Sequence, residues 1–465
     1  MSRSLWGVLG MIAVSGVFSG CAAIHPDAGF TDVQAAIRHR SGFQAYWEQQ
    51  PGEERAVEER IEALLAEELS DGGAVEIALL NNRRLQATFE ELGIARADLL
   101  EARLIRNPIL GFELRYPDRP FELSIMQSIM DLFTLGRRKG VAAASFEAAK
   151  HRVADEVLRT ILEVRSAFYT LQAAEQTHAM RGTVVEAARA GAELAIRQHD
   201  AGNISDLDLE HEQATLAQAR LELAESEGDV LAQRENLTRL MGLWGAQTAW
   251  KLGPNLPDLP PAEGPLTGLE SLAVSQRLDL AAARQEVEVA AKAVGLARPE
   301  AIGEIIAGVH RERESDGATT TGPAIDVPIP LFNRGKARRI RAESLLRQAV
   351  DRYAALAVEI RAEVRGVRNR VSLARSRTEY YRDVLLPRLE RIVGFSQQHY
   401  NFMLVDAFHL LLARQNEIAA RSEYIESLRD YWVARSELEH AVGGTLSPGP
   451  QGHETRGPEE HGGVQ

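Results

Sequence analysis

From Val141 to Asp200 the chain runs for about sixty residues without a proline and with only the glycines Gly182 and Gly191. Within it Val153, Val157, Ile161, Val164, Phe168 and Leu171 follow one another at intervals of four, four, three, four and three, the apolar seam of a coiled coil. At ~1.5 Å per residue such a helix is about 90 Å long. No compact core needs an element of that length, so the stretch reads as a rod.

A second rod lies roughly two hundred positions further on. Glu163-Val164-Arg165 falls on Glu363-Val364-Arg365, His199 on His399 and Asp206 on Asp406; Gly242 falls on Gly443, one position out. Its seam is Tyr353, Ala357, Ile360, Val364, Val367 and Val371. Upstream, Leu132-Phe133 falls on Leu331-Phe332. Solenoid repeats have periods of about 20 to 50 residues, so a period this long points to a duplicated half-protein. The two halves are expected at 74–244 and 266–444, with a proline-rich linker at 245–265.

Across 465 residues the formal charge is −13. With no basic face, nucleic acid is not an expected partner. No apolar run reaches the ~18 to 20 residues of a membrane-spanning helix. Residues 1–20 read as a secretory signal peptide: Arg3 supplies the positive start and Leu5 to Val17 the apolar region. Cys21 follows, and as the sole cysteine it excludes an internal disulfide. The segment 21–73 is polar, with a helix expected over Glu53 to Leu69, and the tail 445–465, with His453 and His461, is expected to be disordered.

A helical pattern over Ala74 to Arg103 is broken by Asn107-Pro108, after which the period changes to two. Leu110, Phe112, Leu114 and Tyr116 alternate with polar or small residues, and so do Phe121, Leu123, Ile125 and Ile129. This predicts a β-hairpin over 109–130 with strands of about ten residues, the length that crosses a tilted bilayer. A hairpin packed on a soluble core would show the same alternation. The second half repeats it more weakly over 303–330, with Ile305, Ala307, Val309 and then Ile325, Val327, Ile329. Four strands cannot close a barrel, and lipid tolerates no open edge, so spanning would require several copies of the chain. The basic clusters Arg137-Arg138-Lys139 and Arg334 to Arg339 are either headgroup contacts or solvated helix starts.

The first rod stops at Ala201-Gly202-Asn203, and Ser205 or Asp206 can cap the helix that returns to Met241. The helical hairpins are expected over 141–242 and 337–442. Stacked end to end, the helix from Ala74 and the returning helix are together long enough to line the whole rod.

Several segments now resemble the TolC family of outer-membrane efflux channels. Ala78-Leu79-Leu80-Asn81-Asn82 and Gly93-Ile94-Ala95-Arg96-Ala97 are similar to the family's first helix. Asp131-Leu132-Phe133 and Pro328 to Gly335 resemble its strand-to-helix junctions. Ala201 to Asp208, and Val405-Asp406 with Leu410 to Gln415, resemble its hairpin tips. Cys21 resembles the acylated cysteine of a lipobox, although Phe18 stands where leucine is usual. The resemblance implies a mainly α homotrimer: long coiled-coil hairpins form a periplasmic tunnel, and four β-strands per chain complete a 12-stranded outer-membrane barrel. The protein would then be the passive exit duct of a tripartite system, docking to a periplasmic adaptor and an inner-membrane pump, with no cofactor.

The same resemblance assigns adaptor contact to Gly202, Asn203, Ile204 and Ser205 at one tip and to Phe402, Met403, Leu404 and Val405 at the other. It makes Asp406 the acidic residue of a periplasmic gate, where three copies would favour cations; Asp206, Phe408 and His409 stand in the same region. The other reading of Asp406 and Asp206 is that they only cap the returning helices. A ring of His409 would make the gate pH-sensitive, whereas a surface histidine is otherwise simply solvated. The form of the N-terminal half and the paired asparagines point to the heavy-metal branch, served by pumps of the resistance-nodulation-division (RND) type.

No phosphate loop, zinc-ligand pair or nucleophile elbow is present in the sequence. The alternative to a channel is a lipid-anchored periplasmic coiled-coil adaptor or spacer, which predicts one helical hairpin flanked by soluble β-domains.

Overall fold

The structure, a computed structural model, describes residues 29–446 apart from 50, 51, 53, 115, 117–119, 254, 265, 298–302 and 315. Cys21, the leader and the tail beyond residue 446 lie outside the described residues.

Two long rods dominate. The first, α5 (Met130–Asp200), is 71 residues long, or about 106 Å. It begins eleven residues before the expected start because Gly136 and Gly140 are absorbed without a break. All six seam residues from Val153 to Leu171 are buried. The second rod comprises α9 (Lys336–Tyr380), a π-helical turn (Tyr381–Leu385) and α10 (Leu386–Asn401). Pro387 has no N–H to bond the preceding turn and its ring crowds the carbonyl four residues back, so the wider turn just ahead of it absorbs the conflict.

That turn moves the seam by one residue. Above it the rods correspond at a difference of 200: Val164 with Val364, Leu171 with Val371 and Ala174 with Ala374. Below it the difference is 201: Val185 with Leu386 and Ala195 with Ser396, all four buried. Ile392 and Phe395, which an unbroken heptad would bury, are exposed. The pairing of His199 with His399 and of Asp206 with Asp406 is therefore out of register by one. Tyr400 and Ala407 are the corresponding positions, and Asp406 corresponds to Ser205.

The returning helices are α6 (Asp206–Met241) and α11 (Ala407–Val442). The expected helix from Ala74 is two helices, α3 (Asp71–Asn81) and α4 (Arg83–Glu101), because Asn82 leaves helical backbone at ψ 107° and caps α4 with its side chain. The break is where α6 docks. Asn81 Nδ2 donates to the carbonyls of Met241 (3.2 Å) and Gly242 (2.7 Å), and Asn82 Nδ2 donates to that of Leu240 (2.8 Å). These amides satisfy helix-end carbonyls that would otherwise be orphaned. Gly242, at φ 71°, admits the contact: a Cβ there would lie 2.8 Å from the Asn81 carbonyl oxygen.

In the second half α11 ends at the break between α7 (Leu269–Gln276) and α8 (Leu278–Ala297), where the connector is a charge. Arg277, nearly buried, donates to both carboxylate oxygens of Asp279 (3.0 and 2.7 Å), to Glu363 and to the Ala441 carbonyl.

The expected polar N-terminal segment carries more structure than its composition suggests. Helix α1 (Phe30–Ser41) packs on α5 through Phe30, Val33 and Ile37, and α2 (Glu54–Leu65) follows. Phe30 meets Trp47 and Phe89 edge-on at 5.6 and 5.3 Å. The linker is likewise packed: Trp250, Leu256 and Leu259 are buried, and the short strands β1 (Glu68–Leu69) and β4 (Lys251–Leu252) pair in parallel.

The four remaining strands form one antiparallel sheet in the order β2 (Ile109–Leu114), β3 (Phe121–Ser128), β5 (Ile306–Arg313), β6 (Thr319–Asp326). They are six to eight residues long, shorter than expected. Tyr116, Ile129, Val327 and Ile329 fall beyond the strand ends, as do Pro328 and Pro330. Pro323 lies within β6, which is an edge of this sheet.

Candidate functional site, the sheet and the hairpin tips

Register sorts the sheet into two faces. Leu110, Phe112 and Leu114 pair with Ile125, Leu123 and Phe121, and Ile125 pairs with Val309, so one face carries an apolar patch, with Arg311 and Arg313 of β5 opposite Leu123 and Phe121 at its end. Leu110, Phe112, Ile125, Val309 and Ile325 are more than half exposed on this chain alone. The other face is polar. Glu113, Glu122 and Glu312 stand in one row across three strands. Nδ1 of His310 lies 2.9 Å from Glu122 Oε1. Of the basic clusters after the hairpins, Arg138 turns back to Asp131 at 3.5 Å, so it braces the sheet-to-rod junction.

The opposite end of the rods carries two turns with one backbone plan. In the first, the N–H of Gly202 donates to the His199 carbonyl and that of Asn203 to Gln198, both at 2.8 Å. In the second, Met403 donates to Tyr400 (2.9 Å) and Leu404 to His399 (2.8 Å). Both are Schellman endings, with the pivotal residue at positive φ. Phe402, Met403 and Leu404 are exposed apolar side chains, as is Leu207 beside the first turn.

The caps differ. Ser205 caps α6 through the Asp208 N–H, and Asp208 closes a capping box by accepting from the Ser205 N–H at 3.2 Å. The Ser205 hydroxyl also donates to Asp208, holding that carboxyl below its ordinary value. Asp206 is the first residue inside α6 rather than its cap, and its Oδ1 lies 2.7 Å from Nε2 of His199. Asp406 does cap α11, accepting from the His409 N–H at 2.8 Å, and remains exposed. Phe408 and Val405 are half-buried and the His409 side chain is exposed.

Between sheet and tips, the charged connector has neighbours with displaced protonation. Burial, then the Asp279 carboxylate, pushes Asp155 on α5 up to about 6, while Arg277 and Arg159 oppose and Glu156 adds to the shift. Burial, then Arg277, lowers His440 on α11, against the pull of Glu363 and Asp279. Sequence reading missed this group because its members lie far apart in the chain. Among the described residues no set of three or more His, Cys, Asp or Glu is arranged to hold a metal, and no helix is long and apolar enough to cross a membrane.

Comparison with known proteins agrees with this arrangement. Residues 74–243 and 269–444 match the family profile described as outer membrane efflux protein. The cobalt-zinc-cadmium resistance protein CzcC of Cupriavidus metallidurans is 25% identical over 382 residues, covering 80% of this chain and 89% of that protein. Among solved structures, the outer membrane protein VceC of Vibrio cholerae superposes with a TM-score of 0.67 at 18% identity, covering 80% of this chain and 96% of that one. The CmeC outer membrane channel of Campylobacter jejuni does so with a TM-score of 0.66 at 15% identity, covering 86% and 89%.

Proposed function

Because the chain belongs to the outer membrane efflux protein family, as its two matched segments establish, we propose that three copies assemble into the exit duct of a tripartite pump. The observation that carries this is the four-stranded amphipathic sheet with two open edges, β2 and β6. A sheet with one apolar face cannot rest in lipid while its edges are unpaired. Three copies, each pairing β6 with the β2 of the next, close twelve strands, with Leu110, Phe112 and Ile125 toward lipid and the Glu113, Glu122 and Glu312 row toward water. The two rods and their returning helices then form the tunnel wall below. The shift from a difference of 200 to 201 across a single π-turn supports two duplicated halves with one residue inserted in the second.

The tip residues Gly202 to Ser205 and Phe402 to Val405, all exposed but for the half-buried Ile204 and Val405, are the surface offered to a periplasmic adaptor. Asp406 serves both as cap and as the carboxylate of the tunnel mouth; Asp206, in contact with His199, is the second acid of that region. Similarity to CzcC favours the heavy-metal branch, with divalent cations as cargo and an RND pump as energy source. The duct uses no cofactor and does no chemistry.

Chain geometry supports lipidation of Cys21. Gly29 lies against Phe146, and Asp32 meets Lys150 at 2.8 Å, so the arm begins beside the sixteenth residue after Met130. That is about 24 Å below the rod's upper end. The eight residues from Cys21 to Gly29 span up to ~27 Å when extended, enough to bring the thiol to the bilayer.

The test is electron microscopy of the detergent-solubilised protein together with planar-bilayer recording. A hollow three-fold cylinder well over ~100 Å long, giving discrete pores, is the expected result. A solid or monomeric rod without conductance overturns the proposal.

A further inference from the structure

The tunnel wall contains a feature the duct itself does not require. Between α5, α8 and α9, just below the sheet, runs a groove of about 490 Å³, within the range of small-molecule sites. Its floor is apolar and made of short side chains: Ala148 of α5, Val289, Ala290 and Ala293 of α8, and Leu345 of α9, itself 49% exposed. Arginines form its rim. Arg152 is paired with Glu286 at 3.0 Å, but Arg341 and Arg352 make no hydrogen bond or ion pair among the described residues. Eleven residues apart on α9, these two lie on one side of the helix, about 17 Å from each other. A groove with a dry floor and unspent guanidiniums at both ends matches a molecule with an apolar body and an anionic group.

Its direction follows from helical phase. Phe146 and Lys150 of α5 face the N-terminal arm, whereas Ala148 and Arg152 lie about 200° around the helix from them. An arm tethered to the bilayer lies outside the tunnel, so the groove opens inward; this step rests on the duct reading above. From these observations we propose that the groove is a binding seat in the tunnel wall for an amphiphilic organic anion, such as an aromatic sulfonate or carboxylate, and that Arg341 or Arg352, one at each end, holds the anionic group. A bare metal cation has no affinity for such a seat. The duct therefore carries a site for a second class of solute.

The full-length protein in lipid nanodiscs is titrated calorimetrically with naphthalene-2-sulfonate at low salt, empty nanodiscs being subtracted. Saturable binding is expected, weakened at least ten-fold in Arg341→Gln/Arg352→Gln, with the neutral 2-naphthalenemethanol binding at least ten-fold more weakly than the sulfonate. Both guanidiniums are exposed, so the variant keeps its helix content and melting temperature. Equal binding by wild type and variant, or no binding by the wild type because a neighbouring copy fills the groove, overturns the seat. Bilayer recording on the same samples separates the two proposals: pores without sulfonate binding refute the seat alone, and absence of pores refutes the duct.

Discussion

Gly202 and Met403 occupy the same position in the two tip turns, one a glycine at φ 73° and the other, at 56°, the only non-glycine residue at positive φ among the described residues. Left-handed backbone costs a residue with a Cβ roughly 1 kcal/mol, and Met403 bears that cost while 93% exposed. A strained apolar side chain with nothing beneath it is expected to be part of a contact surface. Met403→Gly should raise the melting temperature slightly and weaken adaptor binding, measured by thermal unfolding and by surface plasmon resonance. Unchanged adaptor affinity would remove Met403 from the contact.

The cap seen at Asp406 can be separated from its proposed gate role. Asp406→Ser keeps a capping oxygen and removes the charge, whereas Asp406→Ala removes both. The alanine variant should lose about 1 kcal/mol of stability and the serine variant almost none. Reversal potentials across a salt gradient should show reduced cation preference in both. Wild-type selectivity in the serine variant would leave Asp406 only as a cap.

Helix docking at Asn81 and Asn82 predicts opposite outcomes for two glycines. Gly242→Ala places a Cβ against the Asn81 carbonyl at positive φ and should cost about 1–3 kcal/mol. Gly182→Ala, mid-rod with open space around it, should gain up to about 1 kcal/mol. Circular-dichroism melting of the two variants decides; equal effects would mean that the junction is not tightly packed.

Asp155 makes stability depend on pH with an unusual sign. Its folded value of about 6 lies above the ordinary 3.8, so its ionisation opposes folding. The stability its protonated form contributes is lost as the pH rises through about 6. His440 acts the other way, its lowered value costing stability as the pH falls. Asp155→Asn should stabilise the protein at pH 8 by on the order of 1–3 kcal/mol, by roughly half as much at pH 5, and hardly at all below the ordinary value of 3.8. A shift that is the same at both pH values would show that Asp155 does not titrate in this range.

Cys21→Ser should release the protein from the membrane before the barrel has formed and reduce its outer-membrane fraction, with no incorporation of labelled palmitate. Unchanged fractionation and labelling would exclude the anchor.

Much of the architecture was readable because it rests on periodicity. Seam residues such as Val157 and Val364 follow the coiled-coil spacing, and Leu110 to Leu114 follow the strand spacing. What escaped depends on contacts between distant segments. Helix α1 shows only Phe30, Val33 and Ile37 as apolar anchors in a polar stretch, and its burial comes from α5. Leu256 and Leu259 sit among prolines and resemble a loose linker until α11 is beside them. The one-residue shift at Tyr381 to Leu385 leaves the heptad letters intact while moving the seam, so His199 and His399 align in sequence and not in space. At the tips, Asp406 was identifiable as a capping acid, but its partner in the other half proved to be Ser205.

The seam between β3 and β5 also fixes an order of events. Ser128 pairs with Ile306, so the two hairpins of one sheet are joined across about 180 residues of intervening helix. Closing so large a loop is slow unless the helices between have already folded and brought the ends together. The sheet therefore forms late, after the chain is complete past residue 326 and the first helical hairpin has folded, and a chain stalled short of β5 retains an unpaired strand edge exposed to aggregation.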